Sequence, residues 1–266
     1  MIGLHELGRL TVAVVFLVLA AAATAQTLTV FIGLRLRLAR SSAERFYRNI
    51  MRAHWGYGRW LLGAASIRWL GDQGFAVFVA ALIVSLDGLG GLRAAQTIVR
   101  PVTLTFVALG TFFVPRMSAS AARGRVNDVV RTSRMLRRAF FGIAGCGFLV
   151  SLLLGGPGLE FLFGEEFRRF SWIVSSLLVG TAVGGIAEAD GITLRSIGHT
   201  KGVFIGHFIR ALVALGVGIP LGLIYGLSGI VVAMVSATAC RTLVIRVIAR
   251  REVVKHRIEG DLVIPT

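Results

Sequence analysis

Apolar residues run along this chain in long blocks, and the arginines gather between the blocks. The blocks cover 10–34, 60–86, 92–114, 139–154, 170–192, 203–223 and 227–248. A bilayer's hydrocarbon core takes about 20 apolar residues of helix, so each block is predicted to cross it. The segments between them alternate in charge. Segment 35–59 carries Arg35, Arg37, Arg40, Arg45, Arg48 and Arg52 against Glu44, with Phe46, Tyr47, Ile50 and Trp55 interspersed. It reads as an amphipathic helix on the inner leaflet. A second basic loop is predicted at 115–138 and a short basic turn at 195–201, and the tail from Arg250 is basic again. The opposite connections are a Gly-rich turn at 87–91, an acidic Gly-rich loop with a short interfacial helix at 155–167, and an uncharged turn at 225–229. The positive-inside rule turns this alternation into about seven spans, with the N-terminus outside and the C-terminus in the cytoplasm. A signal peptide cut near Ala23-Thr24-Ala25 competes for the first block, but the apolar run continues past that point.

Composition narrows the class. The chain is 55% hydrophobic with a mean hydropathy of +0.78, which places it among membrane proteins. Its formal net charge of +16 is almost all arginine. Because those arginines flank apolar blocks, anionic lipid accounts for them, and no nucleic-acid partner is expected. Cys146 and Cys240 lie inside apolar blocks and read as packing residues, with neither a disulfide nor a metal site implied. No HExxH, Walker lysine or Cys/His metal spacing occurs, so no cofactor is expected and an enzyme is disfavoured.

Candidate chemistry lies in the charges within the blocks, which are costly in lipid and mark functional positions by default. Arg68 and Asp72 are four apart and would share a helix face, roughly 12 Å in from Trp60. The competing reading has Arg68 snorkelling to the surface with Asp72 neutralising it. Arg100 precedes Pro101, which is expected to kink its helix and bare carbonyls to a cavity. Glu188 and Asp190, two apart, are expected on different faces, each either paired with an arginine or binding a coupling cation. His207 and Arg210 share a face, His207 being either a packing residue or a proton relay, and Arg210 sits at a depth similar to Arg68. Two arginines at like depth on separate helices can converge on one anion, and a guanidinium fork suits phosphate or pyrophosphate. Arg241 and Arg246, near an inner end, are expected to snorkel. Gly180-Thr181-Ala182-Val183-Gly184 is a small-xxx-small packing signal.

Four segments carry a family resemblance. They are the helix from Leu92 closing on Phe113-Val114-Pro115-Arg116-Met117-Ser118, the outer segment Phe161-Leu162-Phe163-Gly164-Glu165-Glu166-Phe167, the turn Leu194-Arg195-Ser196-Ile197-Gly198-His199-Thr200-Lys201, and the helix start at Tyr225-Gly226. In order and spacing the chain resembles the C-terminal half of the polysaccharide and lipid-linked oligosaccharide flippases of the multidrug/oligosaccharidyl-lipid/polysaccharide exporter superfamily. The resemblance implies an all-α, polytopic transmembrane bundle of one lobe plus one helix, in a bacterial inner membrane. Residues 1–34 would be the last helix of a missing N-terminal lobe, 35–59 the linker, 60–248 the six-helix C-terminal lobe and 249–266 a basic tail.

It also implies alternating-access transport of an undecaprenyl-pyrophosphate-linked glycan, with a separately encoded first lobe or a second copy as partner. Arg68 and Arg210 would then contact the pyrophosphate from the cytoplasmic side and Arg100 on the outward passage. Asp72 would hold Arg68, and Glu188 would couple to an ion. A multidrug exporter of the same superfamily, or a membrane-embedded enzyme acting on lipid-linked sugars, is the alternative.

Overall fold

The computed structural model describes residues 17–18, 20–29, 32, 44–71 and 83–262. The chain divides into two compact units, Met1–Ala53 and His54–Thr266. In the first, residues 20–29 are helical, which covers part of the first expected span. The hydroxyls of Thr24, Thr27 and Thr29 each donate to the carbonyl four residues back, at 2.7, 2.8 and 2.8 Å, so these polar groups are satisfied within their own helix.

Among the described residues five α-helices follow: α1 (Glu44–Trp69), α2 (Leu86–Ala122), α3 (Val126–Phe163), α4 (Ser171–Ser196) and α5 (Thr200–Leu262), with a 3₁₀ segment, Glu165–Phe170, between α3 and α4. The part of α1 from His54 onward belongs to the second unit. Among the described residues there is no strand. The helix α1 runs through 59–60 without a break and ends in a π-turn at Leu70 and Gly71, and Asp72 lies outside the described residues. The expected pairing of Arg68 with Asp72 therefore falls outside what is described, whereas the expected single helix over 60–86 is corrected: Val84 and Ser85 are not helical, and Leu86 already begins α2.

The helices outrun the apolar blocks, which corrects three expected connections. Residues 87–91 are no turn but the start of α2: the Ser85 hydroxyl accepts the Gly88 N–H at 3.2 Å, and Gly91 is packed so closely under the Phe170 ring that a Cβ would overlap it. The basic loop at 115–138 is likewise helical except for a tight turn at Arg123–Arg125, because arginine is itself a good helix former. Helix α3 also continues through Gly155, Gly156 and Pro157 to Phe163, leaving only the 3₁₀ segment of the expected outer loop. Pro101 and Pro115 both sit inside α2, which spans them.

Glycine serves at the sharp turns, as Gly124 with φ 71° does between α2 and α3. After α4, Gly198 takes φ 80° while the His199 N–H donates to the Leu194 carbonyl at 2.8 Å, a Schellman ending. Within α5, Gly226 has φ 58° and ψ −132°, outside the helical region and open to glycine. The chain doubles back there. Gly202 lies against Ile248, Gly206 against Ile245 and Gly222 against Ile230, so later residues of the first limb meet earlier residues of the second and the limbs are antiparallel.

Helix α4 is the hub, packing against α2, α3 and α5. Gly180 and Gly184 let α5 approach through Val235 and Thr238, and on another side Gly185 makes room for Phe140 and Phe106, whose rings stack with centroids 4.4 Å apart. The expected small-xxx-small contact is thus a real interface. Helices α2 and α5 meet α4 but scarcely meet each other among the described residues, which leaves a cleft over α4.

Among the described residues, four helices are long and apolar enough to cross a membrane: Leu86–Ala122, Val126–Phe163, Glu165–Ser196 and the doubled Thr200–His256. Leu149, Val150, Leu152, Leu153 and Leu154 are exposed together, a surface that suits acyl chains better than water. The architecture is an all-α bundle fit for a multi-pass membrane protein. The positive-inside rule predicts about seven spans, against these four, the last of which bends into two limbs.

Candidate functional site: an arginine-lined cavity

The cleft over α4 opens into a cavity of about 940 Å³, walled by α1, α2, α4 and α5. Helix α2 contributes a stripe set by helical spacing. Arg93, Gln96, Thr97, Arg100 and Thr103 fall at i, i+3, i+4, i+7 and i+10 and line the cavity, while Leu92, Ala95, Val99 and Phe106 are buried. Arg93 donates to the Gln96 side-chain carbonyl at 3.1 Å. The Thr105 hydroxyl donates to the Pro101 carbonyl at 2.9 Å.

Helix α1 faces this stripe with Leu61, Ala64, Ala65, Arg68 and Trp69. It is seated by small residues. Ala64 is buried against the ends of α4 and α5, and a Cβ at Gly63 would come within 2.9 Å of the Phe204 ring. Two hydrogen bonds anchor its lower part: the Tyr57 hydroxyl donates to the Arg195 carbonyl at 3.4 Å, and the Thr200 hydroxyl to the Tyr57 carbonyl at 3.1 Å. That seat delivers Arg68 to the cavity. From α5 come His207 and Arg210, three residues apart on one face. They share the cavity wall with Arg241, Glu188 and Arg68.

The structure thus brings Arg68, Arg100, Arg210, Glu188 and His207, all candidates on sequence grounds, to the walls of one cavity. Asp72 is the exception, lying outside the described residues. The two acids of α4 separate as their spacing requires. Glu188 lines the cavity and accepts from Arg195 at 3.2 Å and Arg241 at 2.9 Å. Asp190, 2% exposed, turns away and pairs with Arg137 of α3 and, at 3.5 Å, Arg246 of α5.

These pairs overturn two expectations. Arg241 and Arg246 do not snorkel; they point inward because a carboxylate on α4 is within reach of each, and Arg241 is only 8% exposed. Arg195, expected in a short basic turn, lies in the last turn of α4 and lines the cavity. Arg93 also joins the lining, and its seven-residue spacing from Arg100 is the signal that could have found it. Arg241 offers none, since the reach of Glu188 is a tertiary fact.

Chemically, the cavity is a cationic vessel with an uncharged hydrogen-bonding wall. Among its described lining residues are six arginines and one carboxylate. Its volume is that of a small-molecule site of about 300–1,000 Å³. Fold and site together define a helical bundle of membrane-protein character with a cavity whose charged lining is mostly arginine. No family model matches the chain, and no curated protein or solved structure matches it either.

Proposed function

We propose that the chain is a transporter component, the C-terminal part of a flippase that moves an undecaprenyl-pyrophosphate-linked oligosaccharide or polysaccharide precursor across the bacterial inner membrane. The observation that carries this reading is the meeting of Arg68, Arg100 and Arg210 in one cavity within an apolar bundle. Lipid solvates none of these charges, so a cavity that keeps them wet or ligand-bound is the arrangement that makes them tolerable. A pyrophosphate diester offers only acceptor oxygens, and guanidinium groups offer only donors. The apolar outer faces of α2 and α5 suit a lipid tail running alongside while the head group sits within.

The residues divide the work by place. Arg68 on α1 and Arg210 on α5 grip the pyrophosphate on the cytoplasmic side. Arg100 on α2 receives it on the outward passage, beside the Thr97 and Thr103 hydroxyls that suit sugar. Glu188 holds Arg195 and Arg241 in place and moderates the positive field, so that the anion is released as well as bound. The open side of the cleft is closed by a separately encoded first lobe or by a second copy, and alternating access comes from rocking against that partner. A cationic drug would meet an excess of arginine here, which disfavours a multidrug exporter.

The test is export complementation by Arg68→Ala and Arg210→Ala in cells where each variant inserts and accumulates normally. Loss of surface glycan in both is expected. Unimpaired export from both would remove the site.

A further inference from the structure

His207 is 6% exposed, lines the cavity, and has an Nδ1 with no hydrogen-bond partner among the described residues. Buried polar groups are nearly always paired, so such an orphan calls for an explanation in what the site binds. Three facts say what would complete it. The ring shares its face of α5 with Arg210. Across the cavity Arg68, on α1, lines the same space as His207 and Arg210. The carboxylate of the same cavity wall, Glu188, is already engaged by Arg195 and Arg241. An imidazole N–H beside guanidinium groups presents one more donor to an acceptor-rich anion.

We propose that His207 is a direct ligand contact, its imidazole N–H donating to a phosphate oxygen of a pyrophosphate held between Arg68 and Arg210. The inference rests on the reading of the cavity as an anion site. It makes His207 a reader of the phosphate rather than filler, because the hydrogen bond is made only when an acceptor enters. Apolar packing alone would be served as well by leucine.

The experiment is calorimetric titration of inorganic pyrophosphate into the full chain in phosphatidylcholine nanodiscs, with a thermal melt of each sample. His207→Leu is expected to weaken binding about ten- to a hundredfold, as loss of a hydrogen bond to a charged group does, without lowering the melting temperature, since it also removes an orphaned buried nitrogen. His207→Asn or His207→Gln, each placing an amide N–H near one ring-nitrogen position, is expected to recover affinity to within about threefold in one of the two. Wild-type affinity in His207→Leu overturns the proposal. So does a fall in melting temperature with no recovery by either amide, which marks a structural histidine. Arg210→Ala separates the two readings. If it loses binding while His207→Leu keeps it, the histidine contact alone fails; if the unaltered protein does not bind, or Arg210→Ala binds as the unaltered protein does, the anion site fails and takes the contact with it.

Discussion

Asp190→Ala should uncouple three helices at once. The carboxylate is 3% exposed at its side chain and bridges Arg137 on α3 and Arg246 on α5, while its own backbone belongs to α4. Removing one partner of a buried ion pair costs about 3–5 kcal/mol, chiefly because the remaining charge is stranded. Here the stranded groups are the arginines, with side chains 24% and 33% exposed. They can regain part of their hydration, which puts the loss near the lower bound, about 3 kcal/mol. Arg137 also donates to the Ser133 hydroxyl at 3.1 Å, so it retains one partner when Asp190 is gone. The assay is the unfolding midpoint of protein in mixed micelles titrated with sodium dodecyl sulfate. It is run as a double-mutant cycle over Asp190→Ala, Arg137→Ala and the pair. A coupling energy of about 1–2 kcal/mol is expected, with the double variant more stable than the sum of the singles. A loss from Asp190→Ala below about 0.5 kcal/mol, the size of a surface substitution, would refute the staple. Strict additivity would refute it as well.

Other tests address the cavity and the backbone. In a background with Cys146 and Cys240 changed to serine, Arg68→Cys, Arg100→Cys and Arg210→Cys should react with a water-soluble maleimide about tenfold faster than Val150→Cys on the apolar exterior, because thiolate forms only where water reaches; equal rates would mean a dry cavity. Glu188→Gln leaves Arg195 and Arg241 facing a neutral amide, so pyrophosphate should bind severalfold more tightly while the midpoint falls by about 1–2 kcal/mol; weaker binding would reverse the role given to Glu188. Gly185→Ala puts a methyl 2.9 Å from the Phe140 Cβ and 3.2 Å from the Phe106 ring, and overpacking of that kind costs about 1–3 kcal/mol. Gly229→Ala is the harsher change, since its Cβ would meet the Leu221 backbone carbonyl rather than a movable side chain, and it should lower the yield of folded protein well below that of Gly185→Ala.

What is readable in the chain follows from which forces are local. Apolar blocks at 92–114, 139–154, 170–192, 203–223 and 227–248 each fall within a helix, because hydrophobic length is written residue by residue. The connections are harder to read because glycine and arginine serve in helices as well as in loops. At 87–91 the glycines allow close packing under Phe170, and at 115–138 the arginines extend helices beyond the apolar block. Arg68, Arg100 and Arg210 stand out because a charge in an apolar run is visible without a structure. Arg241 is misleading for the complementary reason: closeness to a block's end suggests an escape to water, and only the approach of α5 to α4 sets it 2.9 Å from Glu188.

Helix α4 explains why periodicity can go no further there. Four consecutive residues enter four surroundings. Ala187 packs with Ala64, Leu194 and Ile245; Glu188 enters the cavity; Ala189 joins Phe106 and Phe140; Asp190 reaches Arg137 and Arg246. At about 100° per residue these side chains sweep most of a circle, three of the directions meeting packed helices and the fourth the cavity. A helix so surrounded has no apolar stripe set against a polar one, so its faces are told apart by residue size and charge alone. That makes the order of these four residues a strict requirement. With glutamate moved to position 189 and alanine at 188, a carboxylate would lie among Phe106, Phe140 and Ile192, away from both arginine groups, while Arg195 and Arg241 would keep their charge in the cavity unopposed by Glu188. The composition, hydropathy and net charge of the chain would be unchanged. An unpaired carboxylate in such surroundings is destabilising by several kcal/mol, so the exchanged chain should fail to fold where the single Glu188→Gln change is tolerated.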